Sequence, residues 1–145
     1  MGTIMDAAKY LIYLSYNLKV RSLTPLKLQK ILYLSQGWSY VWDDRELFLE
    51  EFEAWKYGPV NLEVYQYFKK YGSDEIPEWE GDKGFFLKEE ERETLQVVWN
   101  SYSDQTASQL VSLTHRHRPW IMNYINGERV RISNEDIRDY FKEVY

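Results

Sequence analysis

The chain has 145 residues, a net charge of −5 and no cysteine. That length suits one domain, 1–145, with a core of its own, and the missing thiols exclude disulfides, thiolate catalysis and the common structural zinc sites. The negative balance argues against a nucleic-acid binder, and the lack of any apolar run near the ~20 residues needed to cross a bilayer argues against a membrane protein.

No basic region followed by an apolar run marks a secretory signal, so a cytoplasmic location is expected. The first helix is predicted from about Thr3 to Asn17, with Thr3 and Asp6 as a capping box and Ala7, Tyr10, Leu11, Leu14 and Leu18 at helical spacing. Lys19 to Leu23 reads as a short connection that lays this helix beside the next one, roughly antiparallel.

Thr24 to Trp42 is the stretch on which the rest depends. Thr24 suits an N-cap and Pro25 the first helical position, where its missing N–H costs nothing. Leu28, Ile31, Leu32, Ser35, Trp38 and Trp42 share one face, and Leu26, Leu34, Gly37 and Val41 form a second. A helix this apolar belongs in the middle of a bundle, with Leu28, Ile31 and Leu32 nearly inaccessible. Its remaining stripe, Gln29, Tyr33, Gln36 and Tyr40, is aromatic and amide-bearing without a formal charge. The stripe suits a partner surface, unless the first or the last helix covers it and turns the tyrosines into internal hydrogen-bond donors.

Glu46 to Tyr57 fits a strand better than a helix in its second half, where Phe52, Ala54 and Lys56 alternate with Glu53, Trp55 and Tyr57. Gly58-Pro59 is a shaped corner leading into a third helix, capped by Asn61, striped by Leu62, Tyr65, Phe68 and Tyr71, and ended by Gly72. Ser73 to Lys83 reads as a surface loop, and Phe85-Phe86-Leu87 as a short strand or a plug over the core. A fourth helix is expected over about Lys88 to Tyr102. A fifth runs from the Thr106–Gln109 capping box to Thr114, and a short one opens at Pro119. Val130 to Ile132 suits a strand. Ser133 caps the last helix, with Ile132 and Ile137 as a hydrophobic staple. The fold expected is mainly α, a single-domain helical bundle around the central helix at about 25–42, with a small β element.

Few residues invite chemistry. His115 and His117 alternate at a helix end, too close in register to converge on one ion, and read as a helix-end cation and a surface residue. A hydrolase using His115 lacks a glycine-bracketed nucleophile, and no phosphate-cradling glycine loop is present. Lys27 and Lys30 are expected to ion-pair with Glu53 or with acidic groups of the first helix. No catalytic residue, cofactor or metal is expected. Aromatic residues make up 17% of the chain, with 13 Tyr and 6 Trp, a composition that serves both a core and an interface.

Three blocks occur in order: Leu23-Thr24-Pro25-Leu26-Lys27-Leu28-Gln29-Lys30-Ile31-Leu32-Tyr33, Glu53-Ala54-Trp55-Lys56-Tyr57-Gly58-Pro59-Val60, and Ala107-Ser108-Gln109-Leu110 through Thr114-His115 to Pro119-Trp120. Together they resemble the Panacea domain, the family of SocA-like antitoxins and phage-associated GepA-like proteins, over about Asp6 to Trp120. The resemblance implies a helical domain of toxin–antitoxin and prophage loci that acts by protein–protein contact. Its partner would be a cognate toxin, masked directly or delivered to a Clp-type protease. The family-motif residues here are Lys27, Gln29, Lys30, Glu53, Val60, His115 and Trp120, serving either the fold or the partner. The partner surface is expected at Tyr33, Gln36 and Tyr40 on the central helix and at Trp55, Tyr57, Gly58 and Pro59 on the corner. The toxin and the oligomeric state are left open.

Overall fold

A computed structural model describes residues 2–18 and 23–145. Of the expected connection at Lys19 to Leu23, all but Leu23 lies outside the described residues. Seven α-helices and a three-stranded antiparallel sheet are present among the described residues: α1 (Ile4–Asn17), α2 (Pro25–Asp43), β1 (Phe52–Trp55), β2 (Gly58–Val60), α3 (Leu62–Phe68), α4 (Glu89–Tyr102), α5 (Ala107–His115), α6 (Arg118–Asn123), β3 (Val130–Ile132) and α7 (Asn134–Val144). A single 3-10 turn over Lys69–Tyr71 extends α3.

The helix starts follow side-chain chemistry. Thr3 and Asp6 form a reciprocal capping box, as do Thr106 and Gln109, while Thr24, Asn61 and Ser133 each accept from a backbone N–H of the first turn. Each side chain satisfies a donor that the helix itself leaves unpaired.

Helix α2 packs against α1, α3, α4, α5, α7 and strand β2. Leu28, Ile31 and Leu32 are fully buried, together with Tyr33, and Leu34 is nearly so. Trp99 of α4, Leu110 of α5 and Phe141 of α7 close the core around it.

The sheet has strand order β2-β1-β3. Trp55 pairs with Gly58, so the β1–β2 hairpin turns through Lys56 and Tyr57 alone. On the other side Phe52 pairs with Ile132, which joins the start of β1 to the segment leading into α7.

Four expectations need correction. The strand expected in the second half of Glu46 to Tyr57 is β1 and stops at Trp55, with Lys56 and Tyr57 in the turn, and residues 46–51 precede it. They lead into a hairpin whose second strand includes Gly58-Pro59, so the corner is itself part of the sheet. Phe85 and Phe86 lie outside any strand and are half-exposed or more. Phe85 packs edge-on against Tyr13 at 4.8 Å, and only Leu87 of this trio is buried. On α3 the buried residues are Val64 and Phe68, and Tyr65 is exposed.

The fourth concerns the polar stripe of α2. Tyr33 and Gln36 are fully buried and Tyr40 is 5% exposed. Helix α7 covers this side: the Phe141 ring lies 5.8 Å from Tyr33 and packs onto Gly37. A partner surface cannot use buried side chains, so the stripe is internal and its polar atoms serve the fold.

Gly37 permits this crossing. A Cβ there would fall 2.3–2.4 Å from three atoms of the fully buried Phe141 ring. Ala is worth up to about 1 kcal/mol more than Gly inside an isolated helix, yet overpacking a core costs about 1–3 kcal/mol. Gly37→Ala is therefore expected to lower stability in urea denaturation. Phe141→Leu, destabilising alone, should recover part of the loss in the double mutant through non-additive coupling.

Candidate functional site

The three sequence blocks meet at the β1–β2 hairpin. From α2, Gln29 bonds both backbone groups of Asn61, its Oε1 accepting the N–H at 2.8 Å and its Nε2 donating to the carbonyl at 3.1 Å. The next residue, Lys30, donates from Nζ to the Pro59 carbonyl at 2.9 Å. Strand β2 is an edge strand, so these carbonyls and the Asn61 N–H would otherwise lack a ladder partner. Pro59 has no N–H to lose, and the sheet edge tolerates it.

The third block closes the other side of the hairpin. Trp120 Nε1 donates to the Trp55 carbonyl at 2.7 Å, and His115 Nε2 lies 2.9 Å from the Lys56 carbonyl. The His115 and Trp120 rings stack at 4.0 Å. Gly58 sits where the blocks touch, with φ of 106°. A Cβ at Gly58 would lie 2.7 Å from Lys30 Cε and 2.8 Å from Thr114 Oγ1. Both backbone angle and space demand glycine there.

Lys30 is fully buried, and its bond to Pro59 replaces the expected ion pair with Glu53. Burial alone lowers its pKa from 10.5 to about 7. Lys27 donates to the Ser103 carbonyl at 2.6 Å, tying α2 to the end of α4. Glu53 accepts from Trp55 Nε1 at 2.9 Å, and Val60 is buried.

His117, expected on the surface, is 2% exposed. Its Nδ1 is 3.0 Å from the Tyr33 hydroxyl and its Nε2 is 3.4 Å from that of Tyr145, so the ring bridges α2 and the end of α7. Burial, with Arg116 adding to it, lowers the His117 pKa from 6.5 to about 4. Burial also raises Tyr33 well above its ordinary value, and burial with Glu46 nearby pushes Tyr40 up to about 12. Both imidazoles are thus engaged in holding elements together. Among the described residues no group of three His, Cys, Asp or Glu could hold a metal ion. No helix among them is long and apolar enough to cross a membrane.

Exposed groups gather outside this clasp. Gly58 and Pro59 are buried and lie out of a partner's reach, whereas Tyr57 is 56% exposed and Trp55 partly so. Beside them a groove of about 500 Å³ runs between the hairpin, the first turn of α2 and α3. Pro25 and Leu26 form one side, Trp55 and Tyr57 the second, and Val64 and Tyr65 the third. The Tyr65 ring meets Trp55 edge-on at 4.8 Å, and the Arg129 guanidinium stands over the Trp55 ring at 4.9 Å. Leu26, Tyr65 and Lys69 were not anticipated as site residues. No signal in the sequence marks them, since helical spacing puts Tyr65 on the inward stripe of α3 and the groove is assembled from separate elements.

A family model described as "Antitoxin SocA-like, Panacea domain" matches residues 28–121. No match was found among curated proteins or among solved structures.

The two buried bases give stability a definite pH dependence. Between pH 6.5 and 4 the unfolded chain binds a proton at residue 117 that the folded chain refuses, so stability falls as pH drops through that window. The slope is roughly 1.4 kcal/mol per pH unit. Lys30 acts with the same sign between pH 10.5 and about 7. His117→Asn offers Tyr33 an amide in place of Nδ1. Urea denaturation at stepped pH is expected to show its stability nearly flat from pH 6.5 to 4.5, where wild type declines. A wild-type slope in the variant would place the titrating group elsewhere.

Proposed function

Because the chain belongs to the Panacea domain family of SocA-like antitoxins, we propose that it is a protein-binding antitoxin module, which neutralises a cognate toxin by direct contact at the β1–β2 hairpin and its groove. The family carries a toxin–antitoxin role; the binding surface and the masking mechanism are our reading. One observation supports that surface above others: the motif residues grip the hairpin from inside while Trp55 and Tyr57 stand at its outer face, beside an apolar groove. Aromatic side chains bordering a desolvatable pocket are the usual anchors of a protein interface. The reading is one of binding rather than catalysis, since the site offers two structural histidines and no activated nucleophile.

Tyr57→Ala tests it. The side chain is largely in solvent and lies in a two-residue turn, so the melting curve should stay within about 2 °C of wild type, as for most surface substitutions. Co-expression with the toxin-like product of the adjacent gene should lose neutralisation. Affinity for that product should fall by at least tenfold, the loss typical of a hot-spot residue (about 2 kcal/mol). Neutralisation that persists in a host lacking Clp protease is the expected outcome for masking. Unaltered affinity in Tyr57→Ala would move the interface off the hairpin.

A further inference from the structure

The groove also restricts what can occupy it. Its walls are largely apolar, and the Gln29 amide on its floor is already spent on the Asn61 backbone. An occupant would find few free donors or acceptors inside, so the part it buries must be apolar. At about 500 Å³ the space falls within the range of pockets that seal off a small ligand or a few side chains, about 300–1,000 Å³.

The rim carries the opposite signal. Lys56 and Lys69 line the groove and no carboxylate does, the Glu53 carboxylate beside it being bonded to Trp55 Nε1. Among the described residues, Arg45, Arg118, Arg131, Arg138 and Lys142 form ion pairs, and neither groove lysine does. Lys56 Nζ instead stands 5.5 Å over the Tyr57 ring, at the mouth. In a chain with a net charge of −5, two lysines free of ion pairs beside an apolar slot are a local reversal of sign. Arg129 over Trp55 extends the positive side beyond the slot.

Resting on the reading of the hairpin as the partner surface, we propose that the groove captures a short acidic segment of the partner protein, seating a large apolar or aromatic side chain between Leu26, Trp55, Tyr57 and Tyr65 while Lys56 and Lys69 take its flanking carboxylates. The apolar anchor supplies affinity, and the carboxylates fix register and speed encounter. A neutral apolar segment would fill the slot and leave both ammonium groups unpaired. A basic one would be repelled. The lysines thus sort among segments that the apolar walls alone would accept equally.

A random-peptide phage library panned against the intact protein tests this without any toxin. Enriched peptides should carry an aromatic residue or leucine with Asp or Glu within a few positions. A synthetic copy of such a peptide should bind Lys56→Glu/Lys69→Glu at least tenfold more weakly, and should bind Tyr57→Ala more weakly too. Replacing its acidic residues by lysine should restore binding to the double variant. All three substituted positions are exposed, and melting curves of the variants verify that they fold. Failure to enrich any peptide over the bare support would overturn the proposal. So would peptides lacking acidic residues, or peptides indifferent to the double variant. A dimer of the protein dissociated by Tyr57→Ala would overturn it as well, making the groove a contact between copies. In any of these cases, neutralisation of the toxin that Tyr57→Ala abolishes would leave the antitoxin reading standing.

Discussion

The buried amine of Lys30 on the Pro59 carbonyl is the contact on which the hairpin depends. A three-residue edge strand containing proline cannot hold itself, since it has few ladder bonds and one open side. Helix α2 supplies that side with side chains instead of backbone. Gln29 pairs with Asn61 as a neighbouring strand would, and Lys30 takes the carbonyl two residues before it. Gln36, two turns along, does the same for the loop before β1, accepting from the Leu47 and Phe48 N–H groups and donating to the Phe48 carbonyl. Each such group left unmet in the interior would cost about 1–3 kcal/mol. The polar residues of the central helix are therefore the hydrogen-bond partners of chain that has no regular partner of its own.

This arrangement also explains why a lysine, rather than a shorter polar residue, occupies position 30. The aliphatic stem fills the space that Gly58 leaves by having no Cβ, and only the terminal nitrogen must find an acceptor. Burial lowers its pKa to about 7, so near neutrality the amine sheds much of the charge that would otherwise be costly to bury. Gly58 and Lys30 are two halves of one fit, with Thr114 as the third surface. A change at any one of them is felt by all three blocks of sequence, whose members here lie 28 to 84 positions apart.

The helices were legible because their signals are local. Capping residues such as Thr3, Thr106 and Ser133, and the apolar spacing of Leu28, Ile31 and Leu32, act within a few residues of where they are read. What escaped the sequence is what depends on distant neighbours. Tyr33, Gln36 and Tyr40 form an uncharged stripe whose fate is set by α7, about a hundred residues later, and periodicity along one helix cannot see its cover. His117 looked like a surface residue because the charged His-Arg run around it is polar, yet the ring turns inward between Tyr33 and Tyr145. Strand β2 was read as a corner, since glycine and proline rarely signal pairing and its ladder has only three residues. Of the candidate site, Trp55 and Tyr57 were legible as aromatics on a turn. The groove was not, because its other walls come from α2 and α3.

The division of labour between the two sides of the hairpin has a consequence for how such a module can diversify. Gln29, Lys30, Gly58, His115 and Trp120 are committed to internal contacts, where substitution breaks a hydrogen bond or fills a space that is not there. Lys56, Tyr57, Tyr65 and Lys69 face solvent across the same few residues of backbone. They can change shape and charge while the clasp beneath stays fixed, at a stability cost usually within about 0.5 kcal/mol for surface positions. A recognition surface laid over a clasp of this kind is free to follow its partner, because the residues that specify the fold are not the residues that meet the solvent. The sequence blocks of the fold then identify the scaffold, and on the proposed reading of the hairpin the partner's chemistry is met by the exposed residues around the groove.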